Sequence, residues 1–326
     1  MPENRHFLNK TYYVTTVRRG VSLHGSGFLF RVSPFEGIVQ PLLEVPSPVY
    51  QHIDVCKAFG GKRGFRGVRT WGEFIVLASF DSLFILDKNG HIQNKITHPL
   101  FNDIHGIEVS AEGIWVTSTG IDAVICVDWK RDLKAVYFLS EFWLEEQKNR
   151  RLIPRYCDYR KPVLTGMQIH PNYISLYNDF VFVCCRRPGI FCQIQPKAGH
   201  VRWRPDLGHY SLPHDGRVRQ LGGKLFIEVS ETGTGTLHVL RWHHRNIEPS
   251  FTIPLSSYGK MDPSRPPARG RTNWLRGLLY LQGKTYLAGQ APARLLIIHE
   301  DLLVKVITLD YHMDSAVFDI SPADHW

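Results

Sequence analysis

The sequence predicts an all-β fold, a six-bladed β-propeller in which the N- and C-terminal strands share one blade. Three observations predict it. Five segments repeat a residue-Gly pair followed by short apolar strands, with Gly67, Gly106, Gly166, Gly216 and Gly277 as the repeating glycines. Apolar residues alternate with period two, and the 3.6-residue helical period is weak nearly everywhere. An unpaired apolar run near the C-terminus matches a blade near the N-terminus that lacks one strand. Repeats of roughly 40–50 residues with four strands each are the mark of propeller blades, and uneven spacing marks long loops on a constant blade.

The blades follow in order. The N-terminal one offers Thr11–Val17, Phe28–Val32 and Ile38–Leu43 as strands. Arg66-Gly67 opens the next, with Phe74–Ala78 and Leu83–Asp87. His105-Gly106 opens a third, with Ile114–Thr117 and Val124–Asp128. Thr165-Gly166 is read as the opening of the fourth, with Phe180–Val183 as a strand; Asn172–Asn178 is read as an insertion or an extended hairpin. Asp215-Gly216 opens the fifth and Arg276-Gly277 the sixth. Ala316–Ile320 then supplies the innermost strand of the N-terminal blade, a closure that removes exposed sheet edges. Residues 1–326 are expected to form one domain with long loops at 48–65, 140–164 and 256–275. Ser140 followed by Glu141 has the form of a helix start within the second loop.

Composition narrows the function. The chain has 326 residues, 43% hydrophobic and 21% charged, an ordinary core-forming balance. No uninterrupted apolar run is long enough to span a bilayer. The polar start Met1–His6 leads into no secretory apolar segment. The six cysteines form no CxxC pair, so they are read as reduced thiols of a cytoplasmic protein. A net charge of +9 favours acidic ligands, nucleic acid or a membrane surface, and does not choose among them. Nucleic acid is disfavoured, since no recognition motif for it is present. There is no GxSxG, P-loop or HExxH pattern, and Gly233-Thr234-Gly235 reads as a turn.

In a propeller the inner strands line a central channel, and their first residues converge at one mouth. Those residues are Arg66, His105, Thr165, His214 with Asp215, and Arg276, with the sixth position near Asp314 and Ser315. Turns between the second and third strands add Arg18, Arg19, Asp81, Asp122, Arg186, Arg187, Glu231 and Gln290. His105 and His214 are the acid–base candidates, because imidazole titrates near neutrality. Arg66 and Arg276 can fork onto a carboxylate, phosphate or developing oxyanion. Thr165, Asp215, Arg186, Glu231 and Gln290 complete the expected substrate-binding set. A competing use of the arginines is ion pairing with Asp87, Asp103 or Asp128. His170 reads as structural. An axial divalent metal is a competing use of the histidines, disfavoured because two of the mouth positions are cationic; no cofactor is expected.

The segments Asp103-Ile104-His105-Gly106-Ile107, Leu212–Arg217, Trp274–Leu278 and Phe318-Asp319-Ile320 resemble a poorly characterised bacterial group of six-bladed propellers. The architecture is more distantly similar to the gluconolactonase, strictosidine synthase and paraoxonase superfamily. That resemblance implies either a divalent cation held by Glu, Asn and Asp on inner strands, or metal-free acid–base condensation. Three functions are therefore open. The first is a small-molecule biosynthetic enzyme acting on an anionic or polar substrate by cyclisation, isomerisation, elimination or hydrolysis. The second is a non-catalytic propeller binding an acidic protein or polysaccharide. The third is a metal-dependent lactonase-like hydrolase.

Overall fold

A computed structural model describes residues 10–18, 25–46, 64–142, 169–243, 246–254, 275–281, 284–300, 302–312 and 314–324. The long loops expected at 48–65, 140–164 and 256–275 lie almost wholly outside the described residues. Of the helix expected after Ser140, only 139–142 are described, and these are helical.

Among the described residues, twenty-four strands form six antiparallel four-stranded sheets. Strands β1 (Tyr12–Arg18), β2 (Phe28–Ser33) and β3 (Ile38–Glu44) belong to blade I. Blade II contains β4 (Val68–Trp71), β5 (Phe74–Ala78), β6 (Ser82–Asp87) and β7 (Ile92–Thr97). Blade III contains β8 (Ile104–Ser110), β9 (Gly113–Ser118), β10 (Ala123–Val127) and β11 (Leu133–Phe138). Blade IV contains β12 (Pro171–Tyr177), β13 (Phe180–Cys185), β14 (Ile190–Gln195) and β15 (His200–Arg204). Blade V contains β16 (Pro213–Leu221), β17 (Lys224–Glu231), β18 (Thr236–His243) and β19 (Asn246–Pro254). Blade VI contains β20 (Leu275–Tyr280), β21 (Thr285–Gln290), β22 (Arg294–His299) and β23 (Leu302–Thr308). The last strand, β24 (Ser315–Pro322), pairs with β1 and completes blade I as its innermost strand. The six-bladed closure read from the sequence is thus the observed fold.

Blade IV departs from the sequence reading. Its inner strand is β12, paired with β13 across a tight turn, so Asn172–Tyr177 is part of the four-stranded blade and not an insertion or an extension of it. The residue-Gly signature that placed the strand at Thr165-Gly166 is replaced here by Asn172-Tyr173. Thr165 itself lies outside the described residues.

The core consists of wedges between blades. Leu83 and Ile96 of blade II pack with Ile107, Val116 and Ile125 of blade III. Trp115 and Val124 pack with Ile174 and Val183 across the next junction. Each of the remaining four junctions has its own cluster. The repeated glycines let inner strands approach one another. A Cβ at Gly67 would sit 2.8 Å from Ile107, and one at Gly106 would sit 3.1 Å from the backbone of Asn172 and Tyr173. No side chain fits in the first gap without movement.

Polar bonds link neighbouring blades around the mouth. The Thr15 hydroxyl donates to the Arg66 carbonyl at 2.5 Å, and the Ile104 N–H to the Phe80 carbonyl at 2.9 Å. Thr119 donates to the Pro171 carbonyl at 2.5 Å, and the Asn172 amide to the Pro213 carbonyl at 2.8 Å. Thr232 donates to the Leu275 carbonyl at 3.0 Å, and the Ala293 N–H to the Ser315 hydroxyl at 2.9 Å. Every junction therefore carries at least one such bond. Among the described residues no helix is long and apolar enough to cross a membrane.

The channel floor is ionic. Asp319 of β24 accepts from Arg69 Nη1 at 2.6 Å, Arg217 Nη2 at 3.0 Å and the Val68 N–H at 3.1 Å. Both guanidiniums also lie against the Tyr173 ring, at 5.3 and 4.9 Å. One carboxylate thus ties blade I to blades II and V. Removing it leaves two buried guanidiniums with less compensation, which costs far more than losing a surface pair. Asp319→Ala is expected to lose about 3–5 kcal/mol of stability. Urea unfolding checks this, and a loss below about 1 kcal/mol would show that the floor does not hold the ring.

Candidate active site at the propeller mouth

The side chains at the mouth are aimed by a backbone irregularity that recurs in all six inner strands. The register shifts between Ile104 and Ile107, Pro171 and Tyr173, Pro213 and Asp215, and Arg276 and Leu278. In β24 the shift falls opposite Thr15 and Thr16, leaving Phe318 between the paired residues Val317 and Asp319. Ahead of β4, the Arg66 N–H bonds to the Ala78 carbonyl and the Ala78 N–H bonds to the Gly67 carbonyl, so two residues again oppose one. A bulge turns the side chain it carries away from the pleat. The bulge positions are Arg66, His105-Gly106, Asn172, His214, Gly277 beside Arg276, and Phe318.

Two expected positions are therefore corrected. The blade IV position belongs to Asn172, because β12 begins at Pro171. The sixth position belongs to Phe318, because the bulge in β24 comes after Asp314 and Ser315, not at them.

Phe318 is the hub. Arg66 lies over its ring at 4.8 Å and Arg276 at 4.2 Å. His105 meets it edge-to-face at 5.4 Å, and His170 meets His105 edge-to-face at 5.1 Å. Arg66, His105, His214, Arg276 and Phe318 are all buried, while His170 is half-buried. His170, read from the sequence as structural, stands at the mouth. Its φ of 54° is left-handed, which is rare for a residue with a Cβ. Asp122 holds it there by accepting its N–H at 2.7 Å. Asp103 and Leu212 adopt the same conformation immediately before β8 and β16. The sequence did carry a signal: His170-Pro171-Asn172 parallels Leu212-Pro213-His214.

These left-handed residues fix the histidine tautomers. His105 Nδ1 lies 2.9 Å from the Asp103 carbonyl, and His214 Nδ1 lies 3.1 Å from the Leu212 carbonyl. A carbonyl only accepts, so each Nδ1 carries the proton. The Thr232 hydroxyl spends its own proton on Leu275, so at 2.6 Å it too accepts from His214 Nδ1. In both neutral rings Nε2 then bears the lone pair.

Electrostatics keep these rings neutral. Burial first, and then the charges of Arg66, His170 and Arg276, hold His105 well below the ordinary histidine value. Burial followed by Arg276 and Arg186 does the same for His214. His170 is depressed by burial and by Arg186, Arg276, Arg187 and Arg66. Arg66 reaches Asp103 at 3.4 Å, so the ion-pair reading holds for that arginine. Burial nonetheless lowers the Arg66 value and raises that of Asp103, outweighing their attraction. Asp87 and Asp128 pair instead with His91 and Lys134.

Other expected site residues are placed elsewhere. Asp215 turns below the mouth, where its Oδ2 accepts the Leu278 N–H at 3.0 Å. Burial and Asp319 push its carboxyl up to about 7. Glu231 accepts from Thr234 at 2.7 Å and bonds His238 at 2.8 Å within its own blade. Gln290 is buried at the end of β21. Arg18 is bound to Asp310 at 2.6 Å. A cavity of about 350 Å³ lies away from the mouth, between blades IV and V, lined by Tyr177, Phe182, Arg204 and Trp242 among others. Among the described residues no three His, Cys, Asp or Glu side chains converge closely enough to hold a metal ion.

The fold is widely shared. No family model and no curated protein matches the sequence. Among solved structures, a protein of unknown function from Bacteroides caccae is similar at 10% identity, covering 97% of this chain and 100% of its own, with a TM-score of 0.55. A chain from the nidogen/laminin complex is similar at 8% identity, with coverages of 96% and 98% and a TM-score of 0.60. A candidate 6-phosphogluconolactonase from Bacteroides uniformis is similar at 12% identity, with coverages of 90% and 81% and a TM-score of 0.50. At these identities the likeness concerns the fold.

Opposing pH effects on stability follow from the buried groups. The mouth histidines have folded values below the unfolded one, so the stability they permit is complete above about pH 6.5 and is lost as pH falls. Asp215 has a folded value above its unfolded one, so its contribution is complete at low pH and is lost as pH rises through about 7. Asp215→Asn is therefore expected to raise Tm by a few degrees at pH 8 and by less at pH 5. Calorimetry at the two pH values checks this, and an equal change at both would contradict it.

Proposed function

We propose that the protein is a cytoplasmic small-molecule enzyme of a biosynthetic pathway that binds an anionic or polar substrate in the propeller mouth and works on it by acid–base chemistry. The observation that carries this reading is the pinned tautomer of His105 and His214. Two imidazoles that stay neutral at neutral pH, each with its Nε2 lone pair unprotonated, can serve as general bases. Arg66 and Arg276, fixed against Phe318, supply positive charge in a buried setting. There they would hold a substrate carboxylate or phosphate, or stabilise negative charge that develops as the proton leaves. Arg186, whose charge reaches His170 and His214, adds to the same field.

This equipment suits isomerisation, elimination or cyclisation begun by proton removal, and hydrolysis by a base-activated water. The cation-binding set of gluconolactonase-like propellers fits poorly. Of its Glu, Asn and Asp, only Asn172 has a counterpart among the mouth bulges, and guanidiniums occupy two of the other positions. Among the described residues Cys126, Cys184, Cys185 and Cys192 are buried and in no disulfide, which supports a reducing compartment.

The net charge of +9 supports a second reading, a docking platform for an acidic protein or polysaccharide. The two separate experimentally. Freshly purified protein is expected to carry a small anion detectable by native mass spectrometry, and Arg276→Gln to lose it. With that compound or its precursor as substrate, His105→Ala and His214→Ala are each expected to lower kcat/KM by about 10²–10⁴ without unfolding. Unchanged turnover in both variants would remove the catalytic reading. Retention of an acidic macromolecule by both variants, with no small ligand found, would establish the platform.

A further inference from the structure

His105 and His170 form a pair of imidazoles inside a cationic wall. Their rings are 5.1 Å apart, edge to face. Among the described residues, these are the charged or titratable groups around the pair. Arg66 precedes β4, Asp103 precedes β8, and Asp122 follows β9 and holds the His170 backbone. Arg186 and Arg187 lie in the turn between β13 and β14, while His214 lies on β16 and Arg276 on β20. Phe318 meets the His105 ring edge to face.

We propose that the mouth takes up one proton together with each anion it binds, and that the His105–His170 pair holds that proton. The inference rests on the anion-binding mouth described above and adds a catalytic acid to it. Without ligand, both rings are neutral and can only accept protons. An anion placed against Arg66 and Arg276 offsets the charges that disfavour imidazolium. One ring then gains a proton from solvent, at the Nε2 position in the case of His105. A second proton is opposed by the first, because the rings are in contact. Substrate binding would thereby create the general acid next to the general base His214. His170, half-buried where His105 is buried, is the solvent-side member of the pair.

The test uses sulfate as the probe, because it stays a dianion from pH 5.5 to 8.5. Calorimetric titration of the full chain at constant ionic strength, in two buffers of different ionisation enthalpy, counts the protons taken up. The expected result is about one proton per sulfate near pH 6.5, with affinity rising about tenfold per pH unit on acidification while uptake is complete. The double variant His105→Gln with His170→Gln is expected to keep sulfate binding and to take up clearly less than one proton. Sulfate binding with no proton uptake and no pH dependence would overturn the inference and leave the proposed function standing. Full uptake retained in the double variant would overturn the assignment to this pair. Failure of sulfate to bind, with Arg66→Gln and Arg276→Gln indistinguishable from the unaltered protein, would overturn both.

Discussion

The ring depends on one carboxylate. Asp319 sits on the strand that closes the propeller, and its oxygens receive Arg69 from blade II, Arg217 from blade V and the Val68 N–H. Burying three such charges is unfavourable unless each finds its partners. Here they do: Arg69 also reaches Glu108 at 3.0 Å, and Arg217 also donates to the Ile320 carbonyl at 2.9 Å. Hydrophobic wedges between blades hold neighbours together but are indifferent to which blades face across the channel. The Asp319 contacts are directional and span the axis. They supply what the wedges lack, a polar floor that admits one arrangement of the six sheets.

That floor shapes the chemistry above it. Arg69 and Arg217 meet on Tyr173 and Asp319, all four buried. Charges in a buried, protein-walled setting act over longer distances than charges in water. The depressed histidines are the consequence: burial disfavours imidazolium, and guanidiniums on the rim disfavour it further. The mouth cations and the neutral bases are therefore one electrostatic arrangement.

Much of this was legible in the sequence, and the limits have physical causes. Arg66, His105 and Arg276 were found because each precedes the glycine that lets the next inner strand come close, and His214 because it stands one residue before such a pair. Blade IV has Asn172-Tyr173 where that pair would be, so a chance Thr165-Gly166 displaced the reading by several residues. Phe318 was missed as a mouth residue for a related reason: Asp319, not glycine, follows it. The His170-Pro171 step, parallel to Leu212-Pro213, marks the left-handed entry to the strand and would have restored blade IV. The floor was not legible at all. Arg69, Arg217 and Asp319 are ordinary strand charges until the ring brings residues 250 and 102 positions apart into contact.

The closing strand explains why the mouth and the ring are mechanically one object. Phe318 and Asp319 are adjacent, and the bulge between β24 and β1 sends them to different levels of the channel. Phe318 enters the mouth and holds Arg66, Arg276 and His105; Asp319 enters the floor and holds Arg69 and Arg217. The strand that reaches the ring last in the sequence thus brings both the hub of the site and the tie of the fold. Until β24 docks, Arg66 and Arg276 belong to blades with no common surface between them, and His105 lacks one of the two rings that fix its plane. Side-chain preorganisation at this mouth is consequently a product of ring closure, not of any single blade. A change that loosens β24 should disturb the orientation of the mouth before it unfolds the blades, since the wedges elsewhere do not pass through that strand.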